Sequence, residues 1–477
     1  MPERYILQHQ LLNYVTNGPY PLHMPGHKRR VMPAPGLPQS WDLTEVEGVD
    51  DLHAAEGILR DAMERTAVLH HAARTWYLVG GSTCGLLAGI RALAPAGSRV
   101  ICARNCHKAV YYALELGGLR PRWLMPPLAE GWGVCGSITP DMVREALEDA
   151  PDAACVILTS PTYEGVISDI AAIADLCHEQ GVPLLVDEAH GAHLGLFPDW
   201  PDSAVTLGAD LVVQSAHKTL PSLTQTAYLH LGRNSMADPD EVERQLGVFE
   251  TSSPSYPLMA SLDGCTGILR SDGAELFRMW RQNLDRFDRT AAMFSHLRVL
   301  CHGADSVADH PAVFDHDPGK LLIRANELGL NGPELAAALR EQFGFELEMS
   351  WGSVALAMTS MCDEASAFDR LAQVLTVLDR QSTGSCRPVV ATLPPPGRTV
   401  CTAARAVVQK LEAVPLEKAK GRISGEYVWA YPPGVPLVAP GEEITDGFLE
   451  AAAALSASGT PLRHTVCKTH GAIQVLA

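Results

Sequence analysis

The stretch Leu184-Leu185-Val186-Asp187-Glu188-Ala189-His190 and the stretch Leu211-Val212-Val213-Gln214-Ser215-Ala216-His217-Lys218-Thr219 decide the fold of this chain. Each is a short apolar run that ends abruptly in acidic, imidazole or amine side chains. Such runs, without alternating polarity, are typical of strands buried on both faces of a parallel sheet. Similar runs lie at residues 76–79, 100–102 and 155–158.

Amphipathic stretches separate these runs, at residues 86–93, 109–116, 140–147 and 170–180. Strands that alternate with helices predict an α/β fold, with a mostly parallel sheet covered on both faces. Working outward from this core, we predict an N-terminal arm (1–55), a large domain (56–300), a smaller α/β domain (301–380), and a linker with a C-terminal domain (381–477) that contains a helix near residues 403–413.

Composition narrows the classes of function. The chain has 477 residues and a formal net charge of -18, and an acidic surface disfavours nucleic acid and anionic membranes as partners. No apolar run approaches the length of a membrane-spanning helix, and the first residues lack a signal-peptide core. We therefore expect a cytoplasmic protein whose 12 cysteines are reduced and mostly buried.

Ligands of open α/β sheets bind beyond the carboxyl ends of the strands, and polar residues follow each apolar run. Gly80-Gly81-Ser82-Thr83 precedes a predicted helix, an arrangement that suits a phosphate because backbone N–H groups and hydroxyls point outward there. A plain glycine turn with Ser82 as a helix cap is an equally good interpretation.

Three further strand ends carry single chemical groups. His107 begins a predicted helix and could stack on a planar ring, although a lone histidine is more often a cap or a surface residue. Asp187 at a buried strand end needs a partner, which a protonated ring nitrogen would supply. Lys218 follows the next strand, where loss of water makes an amine nucleophilic. A phosphate cradle, a stacking ring, a carboxylate and a lysine are together what pyridoxal phosphate requires.

A metal site is the alternative at this sheet edge. Asp187, His190 and His193 have ligand-like spacing, which would suit a metal-dependent hydrolase. Further ligands are not obvious near them in the sequence, and His464, Cys467 and His470 in the tail would have to approach from a great distance along the chain. We therefore assign no metal ligands.

Motifs over nearly the whole chain resemble one family. They are Met24-Pro25-Gly26-His27-Lys28, Gly81-Ser82-Thr83, Arg104-Asn105-Cys106-His107-Lys108, Ser160-Pro161-Thr162-Tyr163, Val186-Asp187-Glu188-Ala189-His190-Gly191, Ser215-Ala216-His217-Lys218-Thr219-Leu220-Pro221, Thr251-Ser252-Ser253-Pro254-Ser255-Tyr256 and Tyr431-Pro432-Pro433-Gly434-Val435-Pro436. The chain resembles the bacterial ornithine/lysine/arginine decarboxylases, pyridoxal-phosphate enzymes of the aspartate-aminotransferase fold (fold type I). It looks like a short form without the N-terminal wing domain.

The resemblance implies a role for each matching residue. Lys218 forms the Schiff base with pyridoxal 5'-phosphate, and Asp187 pairs with the pyridine nitrogen. His107 stacks on one face of the ring, and Ala189 packs on the other. The phosphate is held by Ser82, Thr83, Ser215 and His217.

The resemblance also implies the reaction, decarboxylation of a basic L-amino acid to a polyamine precursor and carbon dioxide. Arginine, which gives agmatine, is favoured over lysine and ornithine because short members of the family often make agmatine. Lys218 or His190 would return a proton to the α-carbon. We further expect a homodimer or larger homo-oligomer with active sites at the interface, where residues 251–253 approach the neighbouring subunit's phosphate. An aminotransferase or lyase of the same fold is the nearest alternative.

The sequence departs from the usual family pattern at four positions, Met24, Gly80, Ala109 and Glu164. None of them removes a cofactor contact, but Glu164 adds a carboxylate that could alter the choice of substrate. The carboxylates that we consider for the distal cation of the substrate are Asp50, Asp51, Glu164 and Glu426.

Overall fold

The computed structural model describes residues 20–22, 50–381, 384, 393–430, 434–457, 461–469 and 471–477. The arm motif at residues 24–28, the prolines at 432 and 433, and His470 lie outside the described residues, as does most of the predicted linker. Among the helices that the structure describes, none is long and apolar enough to cross a bilayer.

A large sheet forms the centre of the described chain. Its strands are β1 (Arg74–Leu78), β2 (Arg99–Ala103), β3 (Arg120–Leu124), β4 (Ala153–Thr159), β5 (Leu184–Asp187), β6 (Leu211–Gln214) and β7 (Ala227–Leu231). They lie in the order β1-β7-β6-β5-β4-β2-β3. Only β7 runs antiparallel to its neighbours within this sheet, which confirms the predicted mostly parallel sheet.

Strand register brings the polar strand ends to one edge. Every residue of β5 and β6 is buried, as expected for apolar runs covered on both faces. Asp187 of β5 lies opposite Val213 of β6 on one side and opposite Thr159 of β4 on the other. The residues that follow Asp187 and Gln214 therefore emerge side by side from the sheet.

Helices cover the sheets, and their bounds follow the predicted amphipathic stretches. In chain order they are α1 (Ile58–Leu69), α2 (Gly81–Leu93), α3 (Lys108–Gly117), α4 (Pro140–Asp149), α5 (Ile170–Glu179), α6 (Ala216–Thr219), α7 (Pro239–Phe249), α8 (Tyr256–Ala291), α9 (Gly332–Phe343), α10 (Ala365–Arg380), α11 (Ala403–Ala406) and α12 (Asp446–Ala457). Local capping fixes several starts. The Thr139 hydroxyl accepts a hydrogen bond from the Met142 N–H, and the Asp169 carboxylate accepts one from the Ala172 N–H.

A second, antiparallel sheet follows the long helix α8. Its strands are β8 (Arg298–Val299), β9 (Lys320–Arg324), β10 (Met349–Trp351) and β11 (Val354–Met358), in the order β8-β9-β11-β10. Short pairings tie it to the rest of the chain: Tyr20–Leu22 runs parallel to Phe345–Leu347, and Val166–Ile167 pairs with Asp315–His316. The second pairing brings the start of this sheet to the loop that follows β4.

The C-terminal strands are β12 (Leu411–Pro415), β13 (Val428–Ala430), β14 (Pro436–Val438), β15 (Leu462–His464) and β16 (Ala472–Leu476). The sequence favoured one helix over residues 403–413, and that prediction is wrong. Helix α11 stops at Ala406, and β12 pairs with β16 in antiparallel register. Long-range strand pairing overrides the weak helical preference of this segment, which contains the β-branched pair Val407-Val408.

A buried ion pair joins the C-terminal region to the large sheet. The Arg104 guanidinium, which is fully buried, donates to both carboxylate oxygens of Glu442 at 2.7 and 2.9 Å. It also lies 4.7 Å from the ring centroid of Trp123. The Ala439 N–H donates to the same carboxylate. Because Arg104 follows β2 directly, this pair fixes the segment that leads to His107.

We expect Glu442→Gln to lower the free energy of unfolding by about 3–5 kcal/mol, because it leaves a buried guanidinium without its counter-charge. Urea denaturation followed by circular dichroism measures the effect. Glu443→Gln is the matched control. Its carboxylate contacts the exposed Arg398 at 3.4 Å, a surface pair worth about 0–1 kcal/mol. Equal losses in the two variants would show that the buried pair is not an anchor.

Candidate active site

The loop between β1 and α2 forms the predicted phosphate cradle. Ser82 lies in the first turn of α2, and its Oγ is 2.5 Å from Oγ of Ser215, which follows β6. Thr83 is exposed beside it. Two hydroxyl-bearing residues from different strand ends therefore meet at one helix N-terminus, where backbone N–H groups favour an anion.

Glu250, which the motif analysis missed, holds this loop from outside. Its carboxylate accepts hydrogen bonds from the N–H groups of Val79, Gly80 and Thr251 at 2.9–3.1 Å. A Cβ at position 80 would lie 2.8 Å from Oε1 of Glu250, too close for a side chain. Gly80, one of the four departures from the family pattern noted above, thus makes room for this carboxylate.

Asp187 is 2% exposed at the end of β5. Its Oδ1 accepts a hydrogen bond from the Ala189 N–H at 3.1 Å. Burial raises the pKa of the Asp187 carboxyl, whereas the positive charge of Lys218 lowers it. A carboxylate in this position favours a cationic group or a protonated ring nitrogen as its partner.

Lys218 lies in the short helix α6, and its Nζ is 2.9 Å from Nε2 of His190. The amine also lies 5.5 Å from the ring centroid of Tyr163. Burial lowers the pKa of Lys218 to about 8, while the carboxylates of Asp187 and Glu348 oppose that shift. The amine therefore loses its proton far more readily than an exposed lysine, whose pKa is about 10.4.

Two of the histidines around this amine, His107 and His190, are neutral. His107 caps α3, with Nδ1 accepting from the Ala109 N–H at 3.2 Å, and burial, aided by the charge of Lys218, lowers its pKa to about 3. Burial also lowers the pKa of His190 well below its usual value. His217 is held differently, by a hydrogen bond from Nδ1 to the Thr226 carbonyl oxygen at 2.8 Å. Uncharged imidazoles suit stacking on an aromatic ring.

The geometry does not favour the metal-site alternative. His193 Nε2 lies 3.0 Å from Oδ1 of Asp317, while His190 contacts Lys218. Among the described residues, the group whose ligand atoms converge as a metal site requires is Cys301, Asp305 and His310, not the predicted trio. In that group a hydrogen bond of 2.7 Å already joins His310 Nε2 to the Asp305 carboxylate.

Three of the four carboxylates considered for the distal cation are engaged elsewhere in the fold. Asp50 accepts from the N–H groups of residues 51, 56, 57 and 59, and Asp51 caps the turn Leu52–Ala54. Glu426 accepts from three backbone N–H groups in the C-terminal region. Glu164 is buried, and its carboxyl has a raised pKa because of that burial.

Two charged residues, Lys320 at the start of β9 and Glu348 directly before β10, enter the site without a sequence motif to mark them. Glu348 Oε1 accepts a hydrogen bond from the Tyr163 hydroxyl at 3.0 Å, and its charge raises the pKa of Lys218. Lys320 Nζ lies 3.3 Å from Nδ1 of His190. The one available signal was a lysine placed directly before the apolar run 321–323, which predicts an amine at the start of a buried strand.

Comparison with known proteins identifies the family. The family model described as the Orn/Lys/Arg decarboxylase major domain matches residues 6–321, and that of the C-terminal domain matches residues 389–457. The chain belongs to the Orn/Lys/Arg decarboxylase family. This decarboxylase is 33% identical to an arginine decarboxylase of Bacillus subtilis over 91% of its own length and 90% of that protein.

A second relative and a solved structure agree with this membership. An arginine decarboxylase of Halalkalibacterium halodurans is 31% identical over 97% of this chain and 96% of that protein. The crystal structure of the Francisella novicida lysine decarboxylase LdcF has the same fold, with a TM-score of 0.77, 17% identity, and coverage of 99% of this chain and 83% of that one. The predicted family, the type I fold and the decarboxylase class are confirmed.

In the cofactor-free decarboxylase we expect the Lys218 amine to react with acetic anhydride along a titration curve with its midpoint near pH 8, because burial destabilises its ammonium form. Below that pH the amine is protonated and unreactive. Mass spectrometry of the labelled peptides measures the curve, with the exposed Lys410 as the reference in the same sample. A curve for Lys218 that coincides with that of Lys410 would contradict the enclosed site.

Proposed function

We propose that this decarboxylase converts L-arginine to agmatine and carbon dioxide with pyridoxal 5'-phosphate bound through Lys218. The observation that carries the proposal is the placement of the Lys218 amine and the Asp187 carboxylate on adjacent parallel strand ends, beside a hydroxyl-lined helix N-terminus. An amine, a buried carboxylate and an anion cradle are the three fixed groups that this cofactor needs.

The residues present fit that cofactor. Ser82, Thr83, Ser215 and His217 would hold the phosphate, and His107 and Ala189 would lie on the two faces of the ring. The orientation of His107 is fixed by its capping hydrogen bond, and Ala189 is small and 8% exposed. When bound, pyridoxal phosphate supplies an electron sink for the charge left at the α-carbon after carbon dioxide departs.

The chain contributes proton control and exclusion of water. The Asp187 carboxylate would hold a proton at the ring nitrogen, which keeps the ring an effective acceptor of electrons. Lys218 Nζ and His190 Nε2, which lie 2.9 Å apart, are the groups that could return a proton to the α-carbon. The Tyr163 ring, whose centroid is 4.0 Å from that of His190, covers this pair and limits access of water.

We favour arginine as the substrate because the two relatives described above, at 33% and 31% identity, are both named arginine decarboxylase. A guanidinium needs an acidic partner in the site. Glu348 supports this choice, because its carboxylate acts electrostatically on the Lys218 amine and is oriented by the Tyr163 hydroxyl. We therefore place the distal cation of the substrate at Glu348 rather than at the four carboxylates chosen from the sequence.

The proposal also covers the oligomeric state of the protein and its location in the cell. Thr251, Ser252 and Ser253 are exposed and adjoin Glu250, which holds the phosphate cradle. A neighbouring subunit that covers this loop would complete the site, so we propose a homodimer in the cytoplasm. The division into an arm, a large domain, a small domain and a C-terminal domain, with the boundaries given above, is proposed with it.

Lys218→Ala is expected to abolish retention of pyridoxal phosphate after borohydride reduction and to lower kcat by about 100- to 10,000-fold, the range for loss of a group that transfers protons. The activity is measured with arginine, lysine and ornithine in turn. The readouts are the release of carbon dioxide and the formation of agmatine or of the diamine derived from lysine or ornithine. Label retained in the variant would overturn the role of Lys218. Formation of a keto acid in place of an amine would identify an aminotransferase.

Glu348→Gln is expected to raise KM for arginine by about 10- to 100-fold, because an uncharged amide loses a charge-assisted hydrogen bond worth about 1.5–3 kcal/mol. Steady-state kinetics measure KM and kcat separately. Glu346→Gln is the control, since Glu346 faces Arg340 at 3.7 Å. If KM is unchanged in the Glu348 variant, the guanidinium binds elsewhere.

A further inference from the structure

Lys320 is a lysine with 1% exposure at the first position of β9. Its Nζ lies 3.3 Å from Nδ1 of His190, 3.4 Å from the His190 carbonyl oxygen and 3.6 Å from Oδ2 of Asp317. Gly165 crosses above the side chain so closely that a Cβ there would lie 2.9 Å from Cβ of Lys320. The amine therefore has a defined position behind the imidazole.

Three carboxylates around Lys320 favour its ammonium form. The pKa of Lys320 lies below its ordinary value because of burial, and the charges of Asp317, Glu348 and Glu164 oppose that shift. Although burial opposes the change, His193 and Lys320 hold the pKa of Asp317 below its usual range. An ionised carboxylate therefore lies beside the Lys320 amine, and a buried ammonium is stable only with such a partner.

His190 lies between two lysine amines, with Lys320 Nζ at Nδ1 and Lys218 Nζ at Nε2. A neutral imidazole has one nitrogen that accepts a hydrogen bond and one that donates. An ammonium has no acceptor, so the two lysines cannot both be protonated and both satisfied by this ring. Lys320 has the carboxylate of Asp317 beside it. The Lys218 amine is separated from Lys320 and that carboxylate by the His190 ring.

We propose that Lys320 is a positioning residue that donates to Nδ1 of His190 and thereby fixes the proton of the imidazole on Nε2, directed at Lys218. In its unprotonated form the Lys218 nitrogen accepts that hydrogen bond. The proposed function requires a proton held near the α-carbon of the substrate, and the Nε2–H of His190 would supply it. The catalytic role of Lys320 therefore rests on the proposed function. The arrangement itself requires only the described side chains.

The groups that face His190 come from several elements. They are Lys218 and His217 in α6, His107 at the start of α3, Lys320 in β9, and Tyr163 in the loop after β4. Glu348 acts on both lysines. Because burial lowers the pKa of His107 and Lys218 contacts the other ring nitrogen, Lys320 is the cation of this set that faces Nδ1, and its removal frees the His190 tautomer.

The test is Lys320→Met, which keeps the length of the side chain and removes the ammonium. In the cofactor-free protein we expect the acetylation midpoint of Lys218 to rise by at least about one pH unit, because a like charge is lost and Lys218 can now donate to Nε2. Nitrogen-15 NMR of histidine-labelled protein, with His190 assigned through His190→Gln, reports the tautomer directly. At a pH just above the wild-type Lys218 midpoint, we expect the Nε2–H form in the wild type and a mixture in Lys320→Met.

Two variants separate positioning from packing. Lys320→Arg keeps the charge and the donors, and we expect it to restore the Lys218 midpoint and the Nε2–H form. Lys418→Met removes an exposed lysine of the turn Leu416–Lys418 and should change neither. In the loaded enzyme, Lys320→Met should lower kcat about 10- to 100-fold with KM within about threefold, the pattern for loss of proton control.

An unmoved Lys218 midpoint in Lys320→Met, or an unchanged His190 tautomer, would overturn the proposal. If circular dichroism shows that Lys320→Met does not fold, Lys320→Gln takes its place, because it retains a polar end in the buried position. The proposal then requires that Lys320→Gln raise the acetylation midpoint of Lys218. Failure of the proposed function is distinguishable, because it would appear as no amine formed from any basic amino acid while the labelling and NMR results stay as expected.

Discussion

The parallel pairing of β5 with β6 is the constraint on which the site depends. It places Asp187 opposite Val213, so that the segment carrying Lys218 leaves the sheet next to the carboxylate. A shift of the register by one residue would turn the Asp187 side chain to the other face of the sheet, because side chains alternate along a strand. The complete burial of both strands makes such a shift costly, since apolar side chains fill both faces.

Around this edge, the fold balances charges in a region that excludes most water. Asp187 opposes Lys218, and Asp317 opposes Lys320, while the imidazoles of His107 and His190 are neutral because they are buried. Burial lowers the pKa of both lysines. The two amines, on either side of one imidazole, differ in their neighbours, because the Asp317 carboxylate lies 3.6 Å from Lys320 Nζ, whereas Lys218 Nζ lies 2.9 Å from Nε2 of His190.

The sequence was sufficient to predict the elements whose signals are local. Short apolar runs marked the buried strands, and the polar residues directly after them marked Ser82, His107, Asp187 and Lys218. It could not predict Lys320 or Glu348, because they lie at the beginnings of strands in a separate antiparallel sheet, Lys320 in β9 and Glu348 directly before β10, and reach the site only through long-range packing. The helix predicted at residues 403–413 failed for the same reason, since pairing between β12 and β16 is invisible in a local window.

The Arg104–Glu442 pair makes the C-terminal region and the cofactor-facing edge thermodynamically linked. Arg104 and His107 lie in one short segment, so a ligand that holds His107 in place also favours the docked arrangement of Glu442. Linkage is reciprocal. Docking of the C-terminal strands and binding at the sheet edge therefore favour each other by one and the same coupling free energy, although none of those strands supplies a described group to the Lys218 pocket.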